Sequence, residues 1–257
     1  MQISVFASGS SGNCLLVSSG DSNVLIDAGI SMRRISAGLT QAGIVWRDIG
    51  GVLITHEHSD HIYGLKTLLR HYSVPIYAPR TVANRLYGML PGIESCLRII
   101  PVNPTVSVAG FQVRAFHTPH DTDESVGYRL DADGSFSLAT DMGHITNEVL
   151  EGLIGADTVL IEANHDLDML RFGPYPAHLK LRILSDHGHL SNEDCGNLAR
   201  KLCENGTRRI ILGHLSRENN RPDLALNTIR ACLREYSPEL YCAPVDGFLS
   251  VPAGKAL

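Results

Sequence analysis

The chain has 257 residues and a mass of 27.9 kDa, with 44% hydrophobic and 19% charged residues and a mean hydropathy of +0.01, a composition that excludes disordered and fibrous classes. No apolar run approaches the roughly 18 to 20 residues needed to cross a bilayer, and the opening MQISVFASGSSGN lacks the basic start and apolar stretch of a secretory leader. The expectation is a cytoplasmic chain without a membrane span, and the net charge of −5 does not advertise a polyanion partner.

Period-two runs over 3–7, 13–18 and 23–27 predict an opening meander, followed by a helix over 31–42 with Ser31 as N-cap and a buried strand over 52–55. Helices are expected over 62–72 and 82–90, with a strand over 75–78 between them and strands over 111–116, 126–130 and 136–140 after them. The second half alternates: helix 148–154, strand 158–162, helices 178–183 and 192–203, strand 209–213, helix 223–236 and a closing strand over 248–251. Strand-rich sheets with helices outside them indicate layered α/β architecture, and with no repeat or long linker the whole chain is expected to be one domain. Six cysteines (Cys14, Cys96, Cys195, Cys203, Cys232, Cys242) lack a CxxC pair and read as reduced, mostly buried thiols, not as a thiolate metal site.

The strongest chemical signal is Thr55-His56-Glu57-His58-Ser59-Asp60-His61, directly after the apolar residues 52–54. In an extended segment His56 and His58 project to the same side, while Asp60 and His61 lie where the chain turns into a helix. Candidate ligands therefore converge at the carboxyl end of a buried strand, where sites in α/β sheets lie.

This HxHxDH pattern resembles that of the metallo-β-lactamase-fold metallohydrolases. The resemblance continues in order through Asp27 in LIDAG, His120 in TPHD, Asp141 in ATDMG and His214 in LGHLS. It implies a four-layer αβ/βα sandwich with a two-metal site on one edge. His56, His58 and His120 would hold one metal, Asp60, His61 and His214 the other, with Asp141 bridging and Asp27 a buried structural carboxylate. His117 competes with His120 for the third position; His120 is preferred because it sits past the strand end and matches the motif. A nitrogen-rich set favours Zn, Mn or Fe over Mg or Ca. Two such divalent transition-metal ions activate a shared water and polarise a phosphoryl or carbonyl oxygen.

The segments around His189 (GHLSN), Glu162 (IEANHD) and His214 (HLSRENN) resemble the phosphodiesterase branch, which includes tRNA 3′-processing enzymes. That match implies His189 as the catalytic proton donor, oriented by Glu162; the reaction also needs an acceptor for the nucleophile's proton, for which Asp60 or Asp141 is the candidate. Together with SGSSGN at 8–13 and LKLRI at 179–183, these segments resemble the YycJ/WalJ family, implying a metal-dependent 5′ to 3′ exonuclease acting on DNA in repair. Candidate substrate contacts are Ser10, Ser11, Ser216, Arg217 and Asn219. The Ser/Gly loop reads either as an anion nest or as a plain hairpin turn. Between 171 and 234 eleven basic residues face six acidic ones, so Lys180, Arg182, Arg208, Arg209, Arg217 and Arg221 are candidate phosphate contacts. His144, His165 and His187 are candidates for supporting or substrate-touching roles, and His71 and His178 for structural ones. The rival readings are a phosphodiesterase for cyclic or nucleotide-like esters, a thioester, lactone or glyoxalase-type hydrolase, against which the His189/Glu162 pair argues, and a non-catalytic regulatory module that keeps the metals only for folding, against which the complete ligand set argues.

Overall fold

The computed structural model describes residues 1–254. The first sheet begins with β1 (Gln2–Ala7), β2 (Cys14–Ser19) and β3 (Ser22–Ile26), an antiparallel meander, and continues in parallel through β4 (Gly51–Leu53), β5 (Ile76–Ala78) and β6 (Leu97–Ile99). Helices α1 (Met32–Gln41), α2 (Ser59–Ile62), α3 (Leu65–His71) and α4 (Arg80–Met89) lie in its connections. The second sheet pairs β7 (Val106–Val108), β8 (Phe111–His117), β9 (Val126–Asp131) and β10 (Ser135–Ala139) antiparallel. It then runs parallel through β11 (Thr158–Glu162), β12 (Arg209–Gly213) and β13 (Glu239–Cys242), with α5 (Asn147–Leu153), α6 (Leu167–Phe172), α7 (Ala177–Ile183), α8 (Asn192–Glu204) and α9 (Pro222–Leu233) in the connections. The last strand, β14 (Leu249–Pro252), returns to β1, so the sheet orders are β14-β1-β2-β3-β4-β5-β6 and β13-β12-β11-β10-β9-β8-β7.

Three apolar clusters correspond to the three interfaces of a four-layer αβ/βα sandwich. Period-two alternation sorts each strand between them. In β2, Leu15 and Val17 face the second sheet while Cys14 and Leu16 face α1 and its neighbours. In β11, Leu160 enters the space between the sheets while Val159 and Ile161 pack with residues of α5, α8 and α9. Strands covered on both faces read as nearly unbroken apolar runs, which is why 158–162 and 209–213 are found at their expected bounds.

Other bounds shift for identifiable reasons. The helix expected over 62–72 begins only at Leu65, after a separate turn of helix at Ser59–Ile62, because Gly64 N–H is given to Ala28 O at 2.7 Å, drawing the chain onto the loop after β3. The strand expected to 55 ends at Leu53, since the Thr55 N–H goes to the Asp27 carboxylate. The helix expected to 236 ends at Leu233, where Arg234 turns left-handed at φ 56°. Short elements without a strong period, among them β7, α6 and β13, are not foreseen. Ser31 stands at the N-cap of α1 but makes no side-chain cap bond. Of the six free cysteines, three are buried and three half-buried. Among the described residues no helix is long and apolar enough to cross a membrane.

Candidate metal centre

The parallel parts of both sheets direct their carboxyl ends toward the same edge. Asp27 follows β3, His56 to His61 follow β4, Asp141 follows β10, Glu162 ends β11 and His214 follows β12, while His120 comes from the loop after β8. Asp27, Asp141 and His214 share one backbone state, with φ of 58°, 56° and 55°. That left-handed region costs a non-glycine residue about 1 kcal/mol or more, and Asp and His tolerate it better than most. Strain of this kind gathers at functional sites; here it accompanies an abrupt turn directly beyond a strand.

Two groups of potential ligands form. His56, His58 and His120 offer atoms within 4.8 Å of one another, and so do Asp60, His61 and His214. Asp141 stands between them: Oδ2 is 3.4 Å from His61 Nε2, and Oδ1 is 3.3 Å from His214 Nε2 and 3.9 Å from His120 Nε2. Whether these residues fit metal ions is tested by their unused polar atoms. His56 Nε2, His120 Nδ1, Asp141 Oδ2 and His214 Nε2 are all buried without a hydrogen-bond partner. Leaving a buried polar atom unpaired costs about 1–3 kcal/mol, so several at one point are a set of lone pairs in want of a cation. The donor set suits a pair of divalent ions.

Asp27, 3% exposed, organises this half of the centre. Its Oδ1 accepts from Thr55 N at 2.9 Å, Thr55 Oγ1 lies within donating reach of both carboxylate oxygens, and Oδ2 lies 2.8 Å from His61 Nδ1. A carboxylate on Nδ1 fixes the tautomer and turns Nε2 to the ligand side. Asn13 adds a contact that the sequence reading missed, with Nδ2 3.0 Å from His61 Nε2. The backbones interlock as well: Asn13 N donates to Asp60 O, Ala28 N to His61 O and Gly29 N to Asn13 O, each at 2.8 Å. The only sequence signal for Asn13 is its place in SGSSGN, a segment that also offers three serines.

On the other side Glu162, fully buried, accepts from Met142 N at 2.9 Å and faces His189 Nδ1 at 2.7 Å and His214 Nδ1 at 3.1 Å. Asn164 Nδ2 donates to His214 O at 2.9 Å, another positioning contact not foreseen. Burial disfavours charge on His61, but Asp27, Asp141 and Asp60 together outweigh it and raise the ring to about 9. His214 is raised in the same way, against burial, by Asp141, Asp60 and Glu162. His56, surrounded by other imidazoles in a buried position, is held well below the ordinary range and keeps a free lone pair. Burial pushes the Asp60 carboxyl up, yet His214 and His61 prevail and bring it to about 2. Burial also opposes charge on His189, and the adjoining Glu162 raises it.

The remaining candidates separate clearly. Ser10 lies between two cavities, one of about 280 Å³ that also meets Ser11, Arg34 and Asp60, and one of about 250 Å³ that also meets His189 and Ser216. Arg217 Nη2 donates to Ser11 Oγ at 3.0 Å. Asn219 is corrected: it is fully buried, its N–H and Nδ2 turn to Ser216 Oγ, and it shapes the loop without reaching a substrate surface. Arg208 and Arg209 are corrected too, since they sit at the start of β12, the end opposite His214, and pair with Asp157 and Glu239. Lys180 is spent on the carbonyls of Arg171 and Gly173, and Arg221 lies near Asp223. Arg182 pairs with Asp121, whose Oδ1 is 3.2 Å from His120 Nε2. His117 ends β8 and faces Glu148. His144 and His187 are exposed, His144 facing Asp186 O, as are His71 and His178. His165 is buried, with no partner for either ring nitrogen.

The family model described as "Beta-lactamase superfamily domain" matches residues 22–215. The exodeoxyribonuclease YycJ of Bacillus anthracis is 36% identical over 237 residues, covering 91% of this chain and 90% of that protein. The exodeoxyribonuclease WalJ of Streptococcus pneumoniae serotype 2 is 39% identical over 232 residues, covering 88% and 86%. The metallo-β-lactamase fold protein YhfI from Bacillus subtilis superposes with a TM-score of 0.74 at 18% identity, over 97% of this chain and 99% of that one, and shows the shared fold. The order of the strands, the ligand-bearing turns and these similarities agree: the chain belongs to the metallo-β-lactamase-fold superfamily and, within it, to the YycJ/WalJ family.

Proposed function

We propose that the chain is a metal-dependent hydrolase of DNA phosphodiester bonds that works from a strand end, 5′ to 3′, as a single cytoplasmic domain serving DNA repair. One observation carries the chemistry: seven side chains of ligand type meet beside a histidine held by a fully buried glutamate. The relatives named exodeoxyribonuclease, similar over most of both chains, support DNA as the substrate. Cavities on two sides of Ser10 support a substrate that extends past the centre in both directions.

In this reading His56, His58 and His120 would hold one divalent ion and Asp60, His61 and His214 the second, with Asp141 available to both. The imidazole-rich set without thiolate suits Zn or Mn, with Fe also accommodated. When bound, such a pair lowers the pKa of the attacking water and neutralises charge building on the phosphoryl oxygens. Asp60 or Asp141 takes the proton that the water gives up. Glu162 occupies His189 Nδ1, so the proton for the departing oxygen is delivered from Nε2 of the same ring. Ser10, Ser11, Ser216 and Arg217 border the path of the strand.

The test uses metal-loaded protein and end-labelled DNA. Release of mononucleotides, with binding that weakens steeply as salt rises, is expected of a protein that contacts a polyanion. Hydrolysis of a small phosphodiester with DNA left intact would overturn the substrate assignment, and no phosphodiester hydrolysis with any of the three metals would overturn the reaction.

A further inference from the structure

The cavity of about 250 Å³ beside His189 has walls of two kinds. Leu179 and Ile183, four residues apart on α7 and therefore on one helix face, line it together with Tyr175, just before the helix. The rest of the lining is polar and includes Asn164, His189 and Ser216. Arg182 joins α7 to Asp121, beside His120, so the cavity borders the metal centre through Asp121 as well as through His189. Its volume falls just under the range of about 300–1,000 Å³ typical of small-molecule sites. An aromatic ring and two aliphatic side chains form a surface for a flat ring system, and the hydroxyl and amide groups suit a sugar.

We propose that this cavity seats the nucleoside whose oxygen departs, its base lying against Tyr175, Leu179 and Ile183. The inference rests on His189 being the group that protonates that oxygen, because His189 lines this cavity. Two consequences follow. The base enters singly, so the terminal base pair of a duplex must open first. The sequence of the DNA matters little, since every base has a face to stack.

Titration calorimetry with thymidine 5′-monophosphate, on metal-loaded wild type, Tyr175→Ala, Leu179→Trp and the exposed control Tyr87→Ala, tests the seat directly. Tyr175→Ala is expected to weaken binding about tenfold, the scale of one base stacked on an aromatic ring, Leu179→Trp to weaken it by blocking the space, and Tyr87→Ala to leave it unchanged. In parallel, DNA whose 5′-terminal nucleotide lacks a base is expected to show kcat/KM about tenfold below intact DNA with wild type, and the two substrates to converge with Tyr175→Ala. Unaltered urea midpoints establish that the variants fold. Nucleotide affinity equal in wild type, Tyr175→Ala and Leu179→Trp, with DNA hydrolysis intact, would overturn the seat alone. Wild type that hydrolyses no phosphodiester would overturn the seat together with the function it serves.

Discussion

Replacing Gly29 by alanine adds one methyl group where the loop after β3 crosses the HxHxDH turn. A Cβ at this position would stand 1.6 Å from Asp60 O, 2.3 Å from Asp60 C and 2.8 Å from Asn13 N. Gly29 is not among the left-handed residues, so the substitution carries no penalty of that kind and the effect is one of contact. Restoring an ordinary separation moves the Asp60 carbonyl by at least ~1.5 Å. The bonds from Asn13 N to Asp60 O and from Gly29 N to Asn13 O, both 2.8 Å, do not survive such a shift. At about 1–3 kcal/mol for each of the two bonds lost, the cost is about 2–6 kcal/mol. Metal–ligand distances tolerate only about 0.2 Å, so the group of Asp60, His61 and His214 is expected to lose its ion. Urea unfolding with elemental analysis of the purified protein measures both effects. Gly88→Ala is the control: nothing lies within 4 Å of a Cβ there, and in the last turn of α4 it should add no more than about 0.5–1 kcal/mol. A Gly29→Ala protein with the wild-type midpoint and undiminished metal content would refute the reasoning.

Three further outcomes are expected. His189→Ala should lower kcat about 10²- to 10⁴-fold on end-labelled DNA while metal content stays at the wild-type level; full activity would remove the ring from the chemistry. Glu162→Gln should lower kcat and also weaken metal binding about 10- to 100-fold, because the same carboxylate faces both His189 and His214; competition with a chromophoric chelator reads the second effect. Burial holds His165 down to about 4, against about 6.5 for an ordinary imidazole, so between those pH values the unfolded chain binds the proton and the folded one does not. Stability tied to this ring is therefore complete above pH 6.5 and declines as pH falls toward 4, by about 3 kcal/mol. Urea midpoints of wild type should drop more steeply over that window than those of His165→Gln, and parallel curves would contradict the assignment.

Much of this protein was written locally in its sequence. The motif from His56 to His61 follows its strand within a few residues, and strands covered on both faces, such as 158–162, carry their own apolar pattern. Resemblance to family motifs likewise singled out Asp27, Glu162 and His189 through the segments that contain them. What the chain alone withheld was contact between distant segments. Asn13 at His61, Asn164 under His214, Arg182 on Asp121 and the break at Gly64 all depend on which loops cross, and short-range periodicity holds no record of that crossing. The same limit misdirected the basic residues: Arg208 and Arg209 sit close to His214 in sequence, yet a five-residue strand carries them to the opposite end of the sheet. Residue identity determined the available chemistry, because ligand type and strand pattern are local properties. Only the packing of two sheets face to face decided which lone pairs meet, since convergence is a property of the folded chain's geometry.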